Sequence, residues 1–469
     1  MHPRSLRTLT SITATVTAAV LLTGCAGTGA EHGEGEAAPD TPGTNTVATA
    51  GKAQYDIGAY KSDPLPGWGE TSDQDGPTVE MTNIANSTVL PFEVDKDFTE
   101  STRVEYYDHL SKFALDLPQE GLDRLRAIES KFLLGYGATA AAEDGRVASN
   151  IVVRFVDPEG AKAAADALVE TFLTEGPEKA LESDPDQPGF IIEVPQLPDA
   201  QAVRAQNGTE FDLVSTHNEY LMLTKTWLTT DSPEQLLDSD PSAEGPVEVA
   251  VSPELMQWQV DYASGFVDKQ TPLLDTISTK KTEAGYGTSN TWPAVDPDDI
   301  LRFALASPTD DATPRIYSFT GAMNRRQMAG NYASVPQMLN VLDQSGVEAM
   351  AQNQTRLFRA KNKESAELLA ATLSALRSDG EIEYWDDPQG VPGTKCSTTF
   401  ADEFSTIYAC DLVYENYFAT ATISETDYSR GEQRVGDNDG DAPKVDPKTQ
   451  LSQAMAAQYL ILQQAPTAK

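Results

Sequence analysis

The spacing of apolar residues changes along this chain of 469 residues, and each spacing predicts a different element. Val104, Tyr107, Leu110 and Ala114 recur every three or four residues behind Thr99 and Glu100, and Leu122, Leu125 and Ile128 do so after Pro118. Both runs predict amphipathic helices. Ser149–Phe155 is short and β-rich and stops at Asp157-Pro158, a cap and first-turn pair. Ala161, Ala164, Leu168 and Phe172 then mark the buried stripe of a helix. After a Pro/Asp-rich loop (182–189) come a strand over Phe190–Val194, a turn over Pro195-Gln196-Leu197-Pro198, and the paired runs Glu210–Ser215 and Tyr220–Leu228, a predicted hairpin. Ser232-Pro233 opens a predicted short helix, and residues 240–245 form a predicted linker.

The second half repeats this order, which makes an internal repeat the main organising signal. Gln354–Phe358 is followed by polar capping residues and a helix with Ala366, Leu369, Leu373 and Leu376 on one face. Val391-Pro392-Gly393 stands where Leu197-Pro198 stood. A second hairpin, Phe404–Val413 and Tyr417–Ser424, turns at Glu415-Asn416-Tyr417 as the first turns at Asn218-Glu219-Tyr220. A final helix over Leu451–Leu462 begins near Asp446-Pro447 as the earlier one begins at Ser232-Pro233. Between the halves, Ser252-Pro253 and Asp296-Pro297 open two further predicted helices, the first with Leu255, Trp258 and Tyr262 as a core or interface stripe. The expected fold is α+β: two related tandem modules, 53–245 and 246–469, each a mostly antiparallel sheet with helices packed on it.

Ahead of these modules the pattern is different. Arg4 and Arg7 precede an uncharged run from Ile12 to Leu22, too short to remain as a membrane span, which is the pattern of a secretory signal. Its end, Leu22-Thr23-Gly24-Cys25, resembles the lipobox of bacterial lipoproteins. That resemblance implies removal of residues 1–24, acylation of Cys25 with diacylglycerol and palmitate-type chains, and anchorage at the outer face of the cell membrane. Residues 25–52 are rich in Gly, Ala, Glu, Thr and Pro and predict a flexible tether. Tyr55–Glu70, with its turn residues and aromatics, predicts an irregular but ordered start to the fold.

A formal charge of −38 repels phosphate backbones and anionic headgroups, so nucleic acid is not an expected partner. If Cys25 carries lipid, Cys396 and Cys410 remain as an even pair in an oxidising compartment, and a disulfide between them is expected. Its loop of about fifteen residues is worth roughly 3 kcal/mol on the chain-entropy account.

Catalytic patterns are scarce. His109 and His217 are the only histidines beyond the signal and tether, neither in a zinc-binding frame. Ala263-Ser264-Gly265 lacks the first glycine of a nucleophile elbow. Gly135-Tyr136-Gly137-Ala138-Thr139-Ala140 echoes a dinucleotide loop but is better explained as a tight turn. Tyr384-Trp385-Asp386-Asp387 is an acidic cluster beside aromatics, expected as an exposed turn. Asp437, Asp439 and Asp441 place oxygens on alternate residues, yet an EF-hand frame meets Ala442 and Lys448 where it needs Gly and Glu, leaving at most a weak calcium site.

With the lipobox, the YDIGAY stretch at Tyr55–Tyr60, the doubled strand-helix-hairpin order and the Cys396/Cys410 pair in view, the chain resembles a family of two-module lipoproteins from actinobacteria with mycolic-acid envelopes. The resemblance implies an envelope address and two modules, and supplies no catalytic residues. The expected function is non-catalytic and without cofactor: a membrane-anchored surface protein that binds an envelope protein, lipid or glycan. The alternatives are the solute-binding lipoprotein of an importer, which predicts lobes of mainly parallel sheet, and a carboxylate-dependent cell-wall hydrolase.

Overall fold

Two seven-stranded antiparallel sheets carry the fold in a computed structural model that describes residues 55–117, 119–175, 189–206, 208–229, 237–238, 250–310, 313–317, 319–377, 382–385, 388–402, 405–424 and 445–467. The expected signal, Cys25 and its tether lie outside the described residues, as do the Ser232-Pro233 helix start, the 240–245 linker and the loop with Asp437, Asp439 and Asp441.

In the first half, α1 (Gly76–Ser87) and α2 (Pro91–Val94) precede β1 (Glu100–Tyr107). Then come α3 (Leu110–Phe113), α4 (Gln119–Leu125), β2 (Phe132–Ala141), β3 (Arg146–Phe155) and α5 (Pro158–Glu175). The strands β4 (Phe190–Ile192), β5 (Gln201–Arg204), β6 (Phe211–His217) and β7 (Tyr220–Leu228) complete the sheet. A short ribbon of β8 (Leu237–Asp238) and β9 (Ala250–Val251) leads to α6 (Pro253–Leu274). The second half runs β10 (Gly321–Met323), α7 (Arg325–Gly330), α8 (Val335–Gln344), β11 (Val347–Gln352), β12 (Arg356–Ala360) and α9 (Lys363–Leu376). It ends with β13 (Ile382–Trp385), β14 (Thr394–Asp402), β15 (Ser405–Tyr414), β16 (Tyr417–Ser424) and α10 (Pro447–Leu462).

The strand orders are β1-β2-β3-β7-β6-β5-β4 and β10-β11-β12-β16-β15-β14-β13, so the two modules share one topology. Three strands form a meander, a helix crosses, and four more return so that the last lies beside the third. The hairpins β6–β7 and β15–β16 turn through two residues, with Asn218 (φ 51°) and Glu415 (φ 48°) in the left-handed region at matching positions. Each module closes with a capped helix: the Ser252 hydroxyl accepts from the Leu255 amide at α6, and the Asp446 carboxylate from the Thr449 amide at α10. The helix that corresponds to the final one in packing is α6, which lies on β6 and β7 as α10 lies on β15 and β16.

Three local expectations change. Val104–Ala114 is not one helix: residues up to Tyr107 form β1, and only Leu110–Phe113 make a helical turn. Val104 and Tyr106 face one core and Tyr107 another, and a strand covered on both sides loses the alternation that would identify it. Gly135–Ala140 lies inside β2, between β1 and β3, rather than in a turn. A Cβ on Gly137 would stand 2.7 Å from the Tyr107 hydroxyl, so the glycine leaves room for that side chain. Asp296-Pro297 starts no α-helix; the Asp296 carboxylate accepts from the Ile300 and Arg302 amides and braces a single 3-10 turn, Leu301–Phe303.

On one face of the first sheet, Ala161, Ala164, Leu168 and Phe172 of α5 pack with Ile151, Val214 and Leu223 in an apolar core. The other face meets Phe266 and Val267 of α6 and Met81 and Ile84 of α1. That core runs on to Phe358, Phe418 and the α9 residues Leu369 and Leu373 of the second module. The remaining face of the second sheet packs with Ala454, Met455 and Leu462 of α10, and Tyr60 joins it there. Cys396 and Cys410, opposite one another in β14 and β15, form the expected disulfide within this core.

Candidate functional site

The hairpin turns fix which residues of the two modules correspond. Arg154 pairs in register with Tyr220, and Arg359 with Tyr417. The amide of Phe155 donates to the Glu219 carbonyl and the amide of Ala360 to the Asn416 carbonyl, at 2.8 and 2.9 Å. Counting from these pairs, Ile151, Leu223, Val214 and Phe172 of the apolar α5 core correspond to Arg356, Thr420, Asp411 and Arg377. All four apolar positions of one module are polar in the other. Charges at such positions add no stability that apolar side chains would not: replacing a buried ion pair by hydrophobic groups is often neutral or stabilising by about 1–4 kcal/mol. The polar set therefore points to a task other than holding the fold.

Arg356, Thr420 and Asp411 lie in one row across β12, β16 and β15, and Gln352 of β11 continues it. Arg377, just past the end of α9, pairs with the Asp411 carboxylate and donates to the Thr420 hydroxyl at 3.2 Å. The Arg356 guanidinium sits 4.9 Å from the ring centre of Tyr317 and 4.8 Å from that of Tyr332, while its Nε donates to Gln352 Oε1 at 2.8 Å. Aromatic neighbours cover the flat faces of a guanidinium and leave its N–H edge for hydrogen bonds. From the first module Tyr106 reaches the same place: its ring stacks on Phe319 at 4.0 Å, and its hydroxyl accepts from Gln327 Nε2 at 3.0 Å. Arg356, Arg377, Tyr106, Tyr317 and Tyr332 are half-buried. Burial pushes the phenols of Tyr106 and Tyr332 up, with the Arg356 charge working against it. Two guanidiniums against one carboxylate make the cluster locally positive in a strongly acidic protein.

Four buried polar atoms, Tyr317 Oη beside Arg356, Asp411 Oδ1 beside Arg377, and Tyr136 Oη and Gln327 Oε1 beside Tyr106, have no hydrogen-bond partner among the described residues. Buried polar groups are nearly always paired, so these orphans need an explanation.

Other charged clusters find most of their partners within the protein, although Arg154 Nε has none among the described residues. Arg154, almost fully enclosed, pairs with Glu80 at 2.6 Å and Glu219 at 3.5 Å and donates to the carbonyls of Lys280 and Tyr286. Arg146 meets Asp95, Asp97 and Asp144 and lies 4.8 Å from the Trp258 ring centre, beside a groove of about 380 Å³. A second groove, of about 360 Å³, is lined by Leu90, Leu339 and the Arg326–Glu93 pair. His109 bonds to Asp108 and His217 to Asp275. Ser264 lies within α6 and donates to the Val260 carbonyl. Tyr384 and Trp385 form edge strand β13 rather than a turn, and Asp386 and Asp387 lie outside the described residues. No group of three potential metal-ligating side chains occurs among the described residues, and no helix among them is long and apolar enough to cross a membrane.

Residues 68–286 match the N-terminal part, and residues 301–430 the C-terminal part, of a domain of unknown function, DUF7373. No curated protein matches the chain. Among solved structures, an uncharacterised protein from Mycobacterium smegmatis, an Rv0999 ortholog, is similar at 14% identity and a TM-score of 0.21, covering 42% of this chain and 98% of its own. These names specify no reaction.

Proposed function

Since the chain belongs to the DUF7373 family, whose two parts together match most of it, and that family carries no assigned function, we propose from the chain's own geometry that it is an exported, lipid-anchored binding protein. Its binding site is the Arg356–Arg377 cluster. The observation that supports this reading is the contrast between the two modules. Where one has Ile151, Val214, Leu223 and Phe172 in an apolar core, the other has two arginines, an aspartate and a threonine beside orphaned polar atoms. The exported, anchored state rests on the basic start, the short apolar run and the Leu22–Cys25 stretch. An importer's solute-binding lobe of parallel sheet fits poorly with two sheets that are antiparallel throughout.

Native mass spectrometry tests the binding reading on the chain from residue 26, purified from an envelope-containing host, against the same sample denatured. A mass released on denaturation supports it. A bare chain, together with no binding of small ligands in titration, removes it. Labelled fatty acid incorporated by the full chain and lost in Cys25→Ser supports the anchor, and equal labelling of both overturns it.

A further inference from the structure

We infer that the Arg356–Arg377 site takes an acidic sugar, a pyranose carrying a carboxylate or phosphate group, free or at the end of a glycan; this rests on the binding reading above. The site offers three kinds of group, and each asks something of the ligand. The Arg356 guanidinium, 4.9 and 4.8 Å from the ring centres of Tyr317 and Tyr332, carries donors in the planar fork that suits a carboxylate or phosphate. The orphaned acceptors Asp411 Oδ1 and Gln327 Oε1 need hydrogen-bond donors, which a carboxylate lacks and sugar hydroxyl groups supply. Tyr317 Oη, also orphaned, can serve a ring hydroxyl in either direction. A carboxylate alone leaves the acceptors without donors, and a neutral sugar leaves the two guanidiniums in excess over the one Asp411 carboxylate, so the ligand carries both functions.

Asp411 and Arg356 are two strands apart in one row, with Thr420 between them. At a strand spacing of about 4.8 Å their backbones stand roughly 10 Å apart, with the Arg377 guanidinium reaching to Asp411 and Thr420 in the same row. The Tyr106–Phe319 stack and the two tyrosines flanking Arg356 add aromatic surface against which a ring can rest.

Isothermal titration of the chain from residue 26 with glucuronate, glucose 6-phosphate, glucose and inorganic phosphate tests the assignment. The expected result is binding of the first two at least tenfold tighter than of glucose or phosphate, weakening as salt is raised. R356Q should lose tenfold or more, and Arg359→Gln, on the opposite face of the same strand, should bind as the native chain does. Tyr317→Phe keeps the ring and removes only an unpartnered hydroxyl, so it should fold normally yet bind several-fold more weakly, which separates ligand contact from damage to the fold. A preference for glucuronate or for the phosphate ester identifies the acidic group. Glucose bound as tightly as the acidic sugars, inorganic phosphate bound as tightly as its ester, or full affinity in both R356Q and Tyr317→Phe overturns the assignment. A neutral lipid or a peptide released in native mass spectrometry, with no acidic sugar bound, overturns it while leaving a binding protein. No released mass and no binding of any probe overturns both.

Discussion

Arg154 shows how a single residue can join distant parts of the chain. Its partners come from α1, the β6–β7 turn and the stretch around Lys280, so its loss leaves two carboxylates enclosed without a cation. Arg154→Met should cost about 3–5 kcal/mol in urea unfolding at neutral pH. Burial already raises the Glu80 carboxyl above its ordinary 4.5, with Arg154 the main opposing influence. A raised folded pKa gives stability that is present in acid and lost as pH rises through it. The variant's deficit should therefore shrink as pH falls toward and below 4.5. Asp157 has the opposite sign. Its carboxylate accepts from Lys131 and from the Gly160 amide at the start of α5, which hold it below its ordinary 3.8. That stability is complete above the ordinary value and disappears as pH falls through the lowered one. Asp157→Ala should cost roughly 0.5–2 kcal/mol at pH 7 and little at strongly acid pH, read from paired unfolding curves.

At the scale of elements, legibility followed the strength of the local signal. The hairpins β6–β7 and β15–β16 and the helices α5, α6, α9 and α10 announce themselves through alternation, apolar stripes and cap-plus-first-turn residues. Strand β2 does not, because Gly135 and Gly137 look like a turn until Tyr107 is seen lying against them. Gly137→Ala should overpack that contact by about 1–3 kcal/mol, with lowered thermal stability and an altered tyrosine signal in near-ultraviolet dichroism. The disulfide joins residues already opposite in the β14–β15 ladder. Reduction, or the Cys396→Ser/Cys410→Ser pair, should cost up to roughly 3 kcal/mol, seen as a lower melting temperature, while sheet content stays unchanged below it. The binding cluster was hidden for a different reason. Arg356, Arg377, Asp411 and Thr420 are unremarkable polar residues in sequence, and only strand register, together with the apolar set at the matching positions, sets them apart.

For the whole molecule, the doubled order along the chain anticipated two modules of one topology but not that a single core would run through both. Met81, Ile84 and Phe266 share that core with Phe358 and Leu369, and the Ser101 and Val335 amides donate across to Ala333 and Thr99. The unit from residue 54 onward should accordingly unfold in one calorimetric transition, and residues 301–469 expressed alone should lack native-like dispersion in NMR spectra. Two separate, independently reversible transitions would contradict the shared core.

The stretch at Tyr55–Tyr60 begins the described chain, yet it packs beside the helix that nearly ends it. Tyr55 lies edge-on to Tyr459 at 5.9 Å, Asp56 accepts from Gln453, and Tyr60 accepts from Gln450. The two ends of the folded unit are thus fastened to the same helix, and the fold is mechanically a closed loop. Tension applied between them loads the seam on α10 first and reaches the hydrogen-bond ladders of either sheet only after that seam has parted.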